Sequence, residues 1–405
     1  MKCSSACIEE PMNQSIREIL NLYNPADPLE KASTIPAPWY RDVRVHELEL
    51  AAVFAKSWQV AGRLDQVHEN GAFFTTDIAG EPIIVVRGED AQLRAFYNVC
   101  RHHAAAVVPE SHGRAKQFRC PYHGWTYGID GALKGMVEFD GVCNFDRAQN
   151  GLVPIRVDAW ENFVFVNLDP LAAPLHKFLG AVPELVAPLQ LTQKLQYFDR
   201  RVYTLRCNWK VYVDNYLDGG YHVPHAHKGL SSVIEYTQYT IENFERACLQ
   251  SSPLSSGANS ATGVAATRQG RAFYLWIYPN FMINAYEGVM DTNVVVPLGV
   301  DNCAVIFDYS FADISHAADE HNRQSIAVSE KVQDEDMAIC DSVQRGLGSR
   351  AYIAGRLSVR REAGEHLFHR LLHADLTTGL ASIVEAGPDG ADRLQPGQRA
   401  ASKAL

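Results

Sequence analysis

The chain has 405 residues, 47% of them hydrophobic and 21% charged, which are ordinary globular proportions. Its length allows two or three domains of roughly 100 to 200 residues each. A formal charge of -10, with no basic patch to offset it, argues against nucleic acid as a partner. No apolar run reaches the roughly 18 to 20 residues that span a bilayer, so no membrane association is expected. Nine cysteines, an odd number scattered from Cys3 to Cys340, do not suggest a disulfide framework and leave metal ligation open.

In chain order, the opening MKCSSACIEEPMNQ lacks the basic and apolar regions of a secretory signal. Glu9 and Glu10 oppose a transit peptide, so a cytoplasmic location is expected. Residues 1–37 read as an N-terminal segment. HELELAAVFAKSW, residues 46–58, sets Leu48, Val53, Phe54 and Trp58 at helical spacing. Short strand-like segments follow, WQVAGR, GAFFTTDIAG, PIIVVRG, LRAFYNVC, QFRC and WTYGIDG, each bounded by turn residues. They predict a small antiparallel domain over residues 38–160. GLVPIRV and NFVFVNLD lead through a Pro- and Leu-rich connection into a second, mixed region over 161–375. Within it, residues 318–347 carry Ile326, Val332, Met337, Ile339 and Val343 in a helical pattern. Residues 376–405, rich in Gly, Ala, Ser and polar side chains, predict a disordered tail.

Two short pairs carry metal-binding chemistry: Cys100-Arg-His102, and Cys120-Pro-Tyr-His123 in CPYHGWTYG. Each is compact enough for both members to reach one centre from a single loop. Two thiolates and two imidazoles suit a tetrahedral zinc or a [2Fe-2S] cluster in which histidines replace two cysteines on one iron. The Cys-His, Cys-His order is unlike a zinc finger, which favours the cluster. His103 adjoins His102.

A second group of histidines lies in NWKVYVDNYLDGGYHVPHAHK, residues 208–228. On an unbroken helix His222 and His227 would sit about 140° apart and face different ways. Pro224 breaks the helix and lets the chain bring them together. His225 competes with His227 for the second position. Two histidines and one carboxylate make a facial triad for ferrous iron with positions left open. The carboxylate candidates are Asp334, Glu335, Asp336 and Asp341, in KVQDEDMAICDSVQRGL.

The pattern NVC-x-H, seventeen intervening residues, then CPYHGWTYG-x-DG resembles the cluster motif of the Rieske non-heme iron oxygenases. YH-x4-H with the distal EDxxxxxSVQxGL segment resembles their mononuclear iron site. The resemblance covers residues 38–373. It implies an α+β fold, with a small antiparallel β Rieske domain and a larger catalytic domain whose antiparallel sheet is flanked by helices. It assigns Cys100, His102, Cys120 and His123 to the cluster, and His222, His227 and Asp336 to Fe(II), leaving His225 out. The family commonly has arginine where this chain has His103, which implies a non-ligand position. Many relatives have an acidic residue three positions before the first iron histidine, bridging the two metal sites across subunits. Here Asp218 lies four positions before it, across Gly219-Gly220, and is the bridge candidate, with Asp214 second. Asn215 is a candidate supporting residue. The resemblance also implies O2 as cosubstrate and a homo-oligomer, commonly a trimer. The chain has no dinucleotide or flavin fingerprint, so NAD(P)H electrons are expected through a separate ferredoxin or flavin reductase.

The resemblance is closest to choline monooxygenase-like members, through WQVAG, NYLD, YHVP, AHK, YPNF and GEHLFH. It implies hydroxylation of a small cationic substrate, choline, to betaine aldehyde. The alternatives are an aromatic-ring dioxygenase alpha subunit and a betaine- or stachydrine-type N-demethylase. In RAFYLWIYPNF, alternation sends Tyr274, Trp276 and Tyr278 to one face and Phe273, Leu275 and Ile277 to the other. A row of such rings is a candidate cage for a quaternary ammonium group, with Tyr286 and Glu287 following.

Overall fold

A computed structural model describes residues 14–231, 234–254 and 270–385 of the chain. The chain begins with short helices α1 (Ile16–Leu20), α2 (Ala37–Arg41) and α3 (Val43–Glu49), the last running into a π-helical turn at Leu50–Phe54. Then come β1 (Gln59–Arg63), β2 (Ala72–Ile78), β3 (Glu81–Arg87), β4 (Leu93–Tyr97) and β5 (His112–Arg114). β6 (Gln117–Arg119), β7 (Thr126–Gly128) and β8 (Leu133–Gly135) form a small sheet of their own. β9 (Pro154–Trp160) and β10 (Phe163–Asn167) complete a first antiparallel sheet, in the order β1-β10-β9-β4-β3-β2-β5. The continuous run Ile83-Ile84-Val85-Val86 in β3 is fully buried. Ile84 and Val86 face the core that holds Cys100 and Cys120, and Ile83 and Val85 face another. An unbroken apolar strand results because both faces are covered.

Helices α4 (Leu175–Leu179), α5 (Val182–Val186) and α6 (Leu191–Lys194) lead to the second sheet. Its strands are β11 (Gln196–Leu205), β12 (Thr240–Asn243), β13 (Ala247–Pro253), β14 (Arg271–Ile277), β15 (Phe281–Tyr286), β16 (Val289–Pro297) and β17 (Cys303–Phe311). They are ordered β11-β17-β16-β15-β14-β13-β12, a meander closed by β11. Between β11 and β12 lie α7 (Trp209–Leu217), α8 (Val223–Ala226) and α9 (Lys228–Ser231). α10 (Asp319–Leu347) and α11 (Ala363–Glu385) end the described chain. Alternation gives this sheet two buried faces. Leu275, Ile277, Phe281 and Ile283 pack with Phe163 and Phe165 of β10 and with α4–α6. Trp276, Tyr278, Met282, Phe307 and Tyr309 pack beneath α7, α10 and α11.

Three expectations need correction. β10 pairs with both β1 and β9, so residues 163–167 belong to the first sheet and the boundary moves past 160. The segment before β1 belongs elsewhere: Ile19, Leu20, Tyr23, Trp39, Tyr40, Val45 and Leu48 are buried in the helix-covered core of the second sheet. A buried ion pair fastens it, with Lys210 Nζ 2.5 Å from Glu49 Oε1 and Trp209 Nε1 donating to Glu49 Oε2 at 2.7 Å. Finally, residues 376–385 are helical, because Leu376 and Leu380 complete an apolar stripe with Phe368 and Leu372. Residues 386–405 of the expected tail lie outside the described residues.

The burial of Leu376 leads to a test. Leu376→Ala is expected to lower unfolding stability by about 2 to 5 kcal/mol in denaturant titration. A change near zero would mean that this last stretch is not part of the core.

Candidate active site

The first pair of loops is built twice on one plan. Cys100 N donates to Ala105 O at 2.8 Å and Ala104 N donates to Cys100 O at 3.0 Å. Cys120 N donates to Trp125 O at 2.8 Å and Gly124 N donates to Cys120 O at 3.0 Å. In both loops the fourth residue after the cysteine has positive φ, 59° at Ala104 and 70° at Gly124. This sharp reversal closes each loop into a tight turn. The side-chain amide of Asn98 closes the first loop, donating to Val108 O and accepting from Val107 N and Val108 N.

Cys100 and Cys120 are both buried, and burial pushes the Cys120 thiol above its ordinary range. The rings of His102 and His123 lie 4.7 Å apart, and Trp125 stacks on His102 at 4.7 Å and 5°. His102 Nδ1 is buried and has no hydrogen-bond partner among the described residues. Burial, with His103 and His123 close by, holds the His102 ring below the ordinary imidazole range, in the neutral form that ligates metal. A buried ring nitrogen without a hydrogen-bond partner, on a loop whose cysteine is also buried, fits a cluster ligand and leaves a structural hydrogen-bonding role unfilled. His103 is exposed, with its ring 4.1 Å from His102 and 5.2 Å from His123. Its nitrogen falls in the same close group as theirs. The Tyr127 hydroxyl lies 3.4 Å from Cys100 Sγ, placed to donate to it once the sulfur is a thiolate, and accepts from Arg101 N at 3.0 Å.

The second site forms where α7 ends. Asn208 caps the start of α7, accepting from Lys210 N at 3.0 Å. Past Leu217 the chain reverses through Gly219 and Gly220, at φ +68° and +67°. A Cβ on Gly219 would come within 2.1 Å of Arg361 O. Only glycine fits there. The reversal lets Asp218 accept from His222 N at 2.9 Å and from His222 Nδ1 at 2.6 Å. α8 is a single turn with His222 as N-cap and His227 as C-cap, and Pro224 lies in its first turn. The rings of His222 and His227 are brought to 4.8 Å, while His225 points into solvent.

Asp336, midway along α10, completes the group. Its Oδ1 lies 3.1 Å from His227 Nε2 and 3.6 Å from His222 Nε2, and accepts from Asn215 Nδ2 at 2.8 Å. Glu335 accepts from His227 Nδ1 at 2.7 Å. Each imidazole is therefore held by a carboxylate at Nδ1 and presents Nε2 to Asp336. Burial depresses the proton affinity of His227, yet Asp336 and Glu335 outweigh it and raise its pKa. A divalent cation between the three Nε2 and Oδ1 atoms satisfies the same field, so the donor set fits ferrous iron. The sequence offered Glu335 only as a rival for the ligand position; its orienting role follows from its neighbouring place on α10.

Asp214, the second bridge candidate, is engaged elsewhere. It accepts from Tyr40 at 2.5 Å and from His369 Nε2 at 3.0 Å. A cavity of about 130 Å³ opens from His222, His227 and Asp336 to a sheet floor bearing Tyr274, Asn284, Tyr286, Asp291 and Asn293. Tyr216 and Tyr239 also line it. Of the expected cage, Tyr274 and Tyr286 reach the cavity, their hydroxyls 3.4 Å apart. Trp276 and Tyr278 share the face of Tyr274 but pack as core, Trp276 with its ring 5.6 Å from that of Phe368. Glu287 is exposed in the β15–β16 turn, outside the lining. Alternation assigns the face correctly, and α11 decides how much of it is open.

Two tests follow. Tyr127→Phe removes a donor from the Cys100 sulfur and is expected to lower the reduction potential of the first centre in a spectroscopically monitored redox titration. An unchanged potential would contradict that contact. Glu335→Gln is expected to weaken iron binding about 10- to 100-fold in chelator competition. Wild-type affinity would remove Glu335 from the site.

Residues 57–146 match the family described as Rieske [2Fe-2S] domain, and residues 192–377 match the ring hydroxylating alpha subunit (catalytic domain). The chain is 42% identical over 376 residues to a chloroplastic choline monooxygenase of Arabidopsis thaliana, covering 89% of this chain and 87% of that one. It is 34% identical to the carnitine monooxygenase oxygenase subunit of Escherichia coli strain K12, covering 85% and 94%. The solved structure of a quaternary ammonium Rieske monooxygenase aligns with a TM-score of 0.77 at 28% identity, covering 87% of this chain and 96% of that one. Naphthalene 1,2-dioxygenase from Rhodococcus shares the fold, with a TM-score of 0.69 at 20% identity, covering 86% and 94%. Both domain matches fall in one order on a chain this close to curated relatives, so the protein belongs to the Rieske non-heme iron oxygenases, enzymes that carry a [2Fe-2S] cluster and a mononuclear iron and use O2 with reductase-delivered electrons from NAD(P)H.

Proposed function

We propose that this chain is the oxygenase component of a monooxygenase that hydroxylates a small quaternary ammonium compound, choline, at its alcohol carbon. The hydrate so formed collapses to betaine aldehyde. The carrying observation is the cavity itself. His222, His227 and Asp336 stand at one end, and Tyr239, Tyr274 and Tyr286 form an aromatic wall over Asp291. Burial holds the Tyr239 and Tyr274 phenols well above their ordinary range, so their rings stay neutral and electron-rich. Such faces attract a trimethylammonium head by about 0.5 to 2 kcal/mol per good contact. Asp291 accepts from Asn284 Nδ2 at 2.7 Å and from Asn293 Nδ2 at 3.3 Å. A carboxyl side chain in the floor suits a cation better than a substrate with its own carboxylate. Similarity to choline monooxygenases at 34–42% identity supports the same choice.

In this reading Cys100, His102, Cys120 and His123 hold the cluster, and His222, His227 and Asp336 hold the iron. When bound, the cluster supplies single electrons and the ferrous ion supplies O2 activation. The protein's part is orientation: Asp218 and Glu335 fix the two imidazoles, Asn215 fixes Asp336, and the tyrosines point the substrate's carbon at the iron. The overall change balances as R-CH2OH + O2 + 2 electrons + 2 protons giving R-CH(OH)2 + H2O. Family members draw electrons from a separate reductase and assemble into oligomers. Here Asp218, with its side chain 15% exposed, is the bridge from His222 to a cluster histidine of a neighbouring copy in a trimer. His123, exposed on its own domain, suits that contact.

Oxygen uptake by the reductase-coupled holoenzyme with choline, carnitine, proline betaine and a simple arene tests the reading. Choline is expected to give stoichiometric uptake and betaine aldehyde, with weaker or no turnover of the carboxylated compounds. Uptake coupled only to the arene would overturn it.

A further inference from the structure

The floor of the cavity lies on a row of polar residues in register across five strands, Gln250, Tyr274, Asn284, Asp291 and Tyr309, of which the first four line it. Gln250 is the member that reaches beyond the row. It lies mid-strand in β13, 1% exposed, and both ends of its amide are used. Its Oε1 accepts from the Tyr239 hydroxyl at 3.0 Å, and its Nε2 donates to Tyr216 O at 2.8 Å.

The second bond has structural meaning. α7 ends at Leu217, and the last carbonyls of a helix have no N–H of their own helix to accept from. Gln250 supplies that donor to Tyr216 from the sheet. Two residues on is Asp218, the group that orients His222. The reversal beyond it also touches the cavity wall, since a Cβ on Gly220 would meet the Tyr239 ring at 3.0 Å. Arg361, buried, donates to Gly219 O at 3.4 Å and has its guanidinium carbon 5.7 Å from the Tyr239 ring centre. The ring that faces substrate and the turn that carries Asp218 thus meet at Gly220 and near Arg361, and the Gln250 amide joins the Tyr239 hydroxyl to the helix end just before that turn.

We propose that Gln250 is a positioning residue that ties the aromatic wall of the cavity to the end of α7, so that a substrate seated against Tyr239 holds Asp218 and His222 in working register. Its consequence is on the fate of O2. In register, O2 and two electrons oxidise substrate and yield water. Out of register, O2 + 2 electrons + 2 protons leave as H2O2, with the reductase supplying the electrons in both cases. The inference rests on the cavity being the substrate site.

The test compares reductase-coupled holoenzyme of wild type, Gln250→Leu and Tyr239→Phe. Choline with the wild type is the first arm and tests the substrate reading alone. The variants are then compared with wild type using whichever quaternary ammonium compound the wild type oxidises. Gln250→Leu is expected to lower product formed per O2 consumed by roughly threefold or more, with H2O2 making up the difference. KM should move less than this ratio, and the spectrum of the reduced cluster should stay unchanged. Tyr239→Phe keeps the ring, removes only the donor to Gln250, and is expected to shift the ratio in the same direction. If Gln250→Leu fails to fold or to hold iron, Tyr239→Phe decides alone. Wild-type product per O2 in the variants that fold, with any loss confined to melting temperature, overturns the proposal and leaves Gln250 a structural cap.

Discussion

Two imidazole-to-carboxylate hydrogen bonds govern this structure: His222 Nδ1 to Asp218 at 2.6 Å and His227 Nδ1 to Glu335 at 2.7 Å. A proton held on each Nδ1 leaves the two Nε2 lone pairs free, and both face Asp336. Without those bonds each ring turns about its side-chain torsions and the three donors stop converging. The arrangement needs a chain reversal within four residues, which Gly219 and Gly220 provide at positive φ. It also needs two helices from distant parts of the chain to lie side by side.

The core supplies that second requirement. α7 is anchored at its start by the Asn208 cap, and Gln344 of α10 donates no proton there but accepts one from Asn208 N at 3.0 Å. Tyr212 of α7 donates to Gln333 of α10 at 2.8 Å. The Lys210–Glu49 pair then ties α7 to the segment ahead of the first sheet. Breaking one partner of such a buried pair leaves the other charge stranded, at about 3 to 5 kcal/mol. The iron site is in this sense held by the beginning, middle and end of the chain together.

What the sequence disclosed follows from range. Cys100 with His102, Cys120 with His123, and His222 with His227 are pairs close in sequence, so spacing and Pro224 made each a candidate, and the resemblance chose His227 over His225. On residue chemistry alone His225 rivalled His227, and four acidic residues rivalled one another for the third ligand. The α10 register that separates Asp336 from Glu335 depends on packing more than a hundred residues away from His227. Alternation put Tyr274, Trp276 and Tyr278 on one face, as found, but no strand pattern tells what will cover that face. α11 buries Trp276 and Tyr278 and leaves Tyr274 open. The same helix explains the misread tail: Leu376 and Leu380 are sparse in sequence, yet they extend a stripe begun by Phe368 and Leu372. The boundary near 160 failed because β9 and β10 differ little in composition from the strands after them, and only pairing with β1 and β4 assigns them.

The proposed chemistry needs two separate metal centres in one chain, the second built by His222, His227 and Asp336. The most direct measurement is iron and sulfide content, with electron paramagnetic resonance of the reduced protein, for wild type and His222→Ala. Three irons and two sulfides per wild-type chain, falling to two irons with an unaltered cluster signal in the variant, are the expected result. Loss of the cluster signal in the variant, or an unchanged count of three irons, would contradict it.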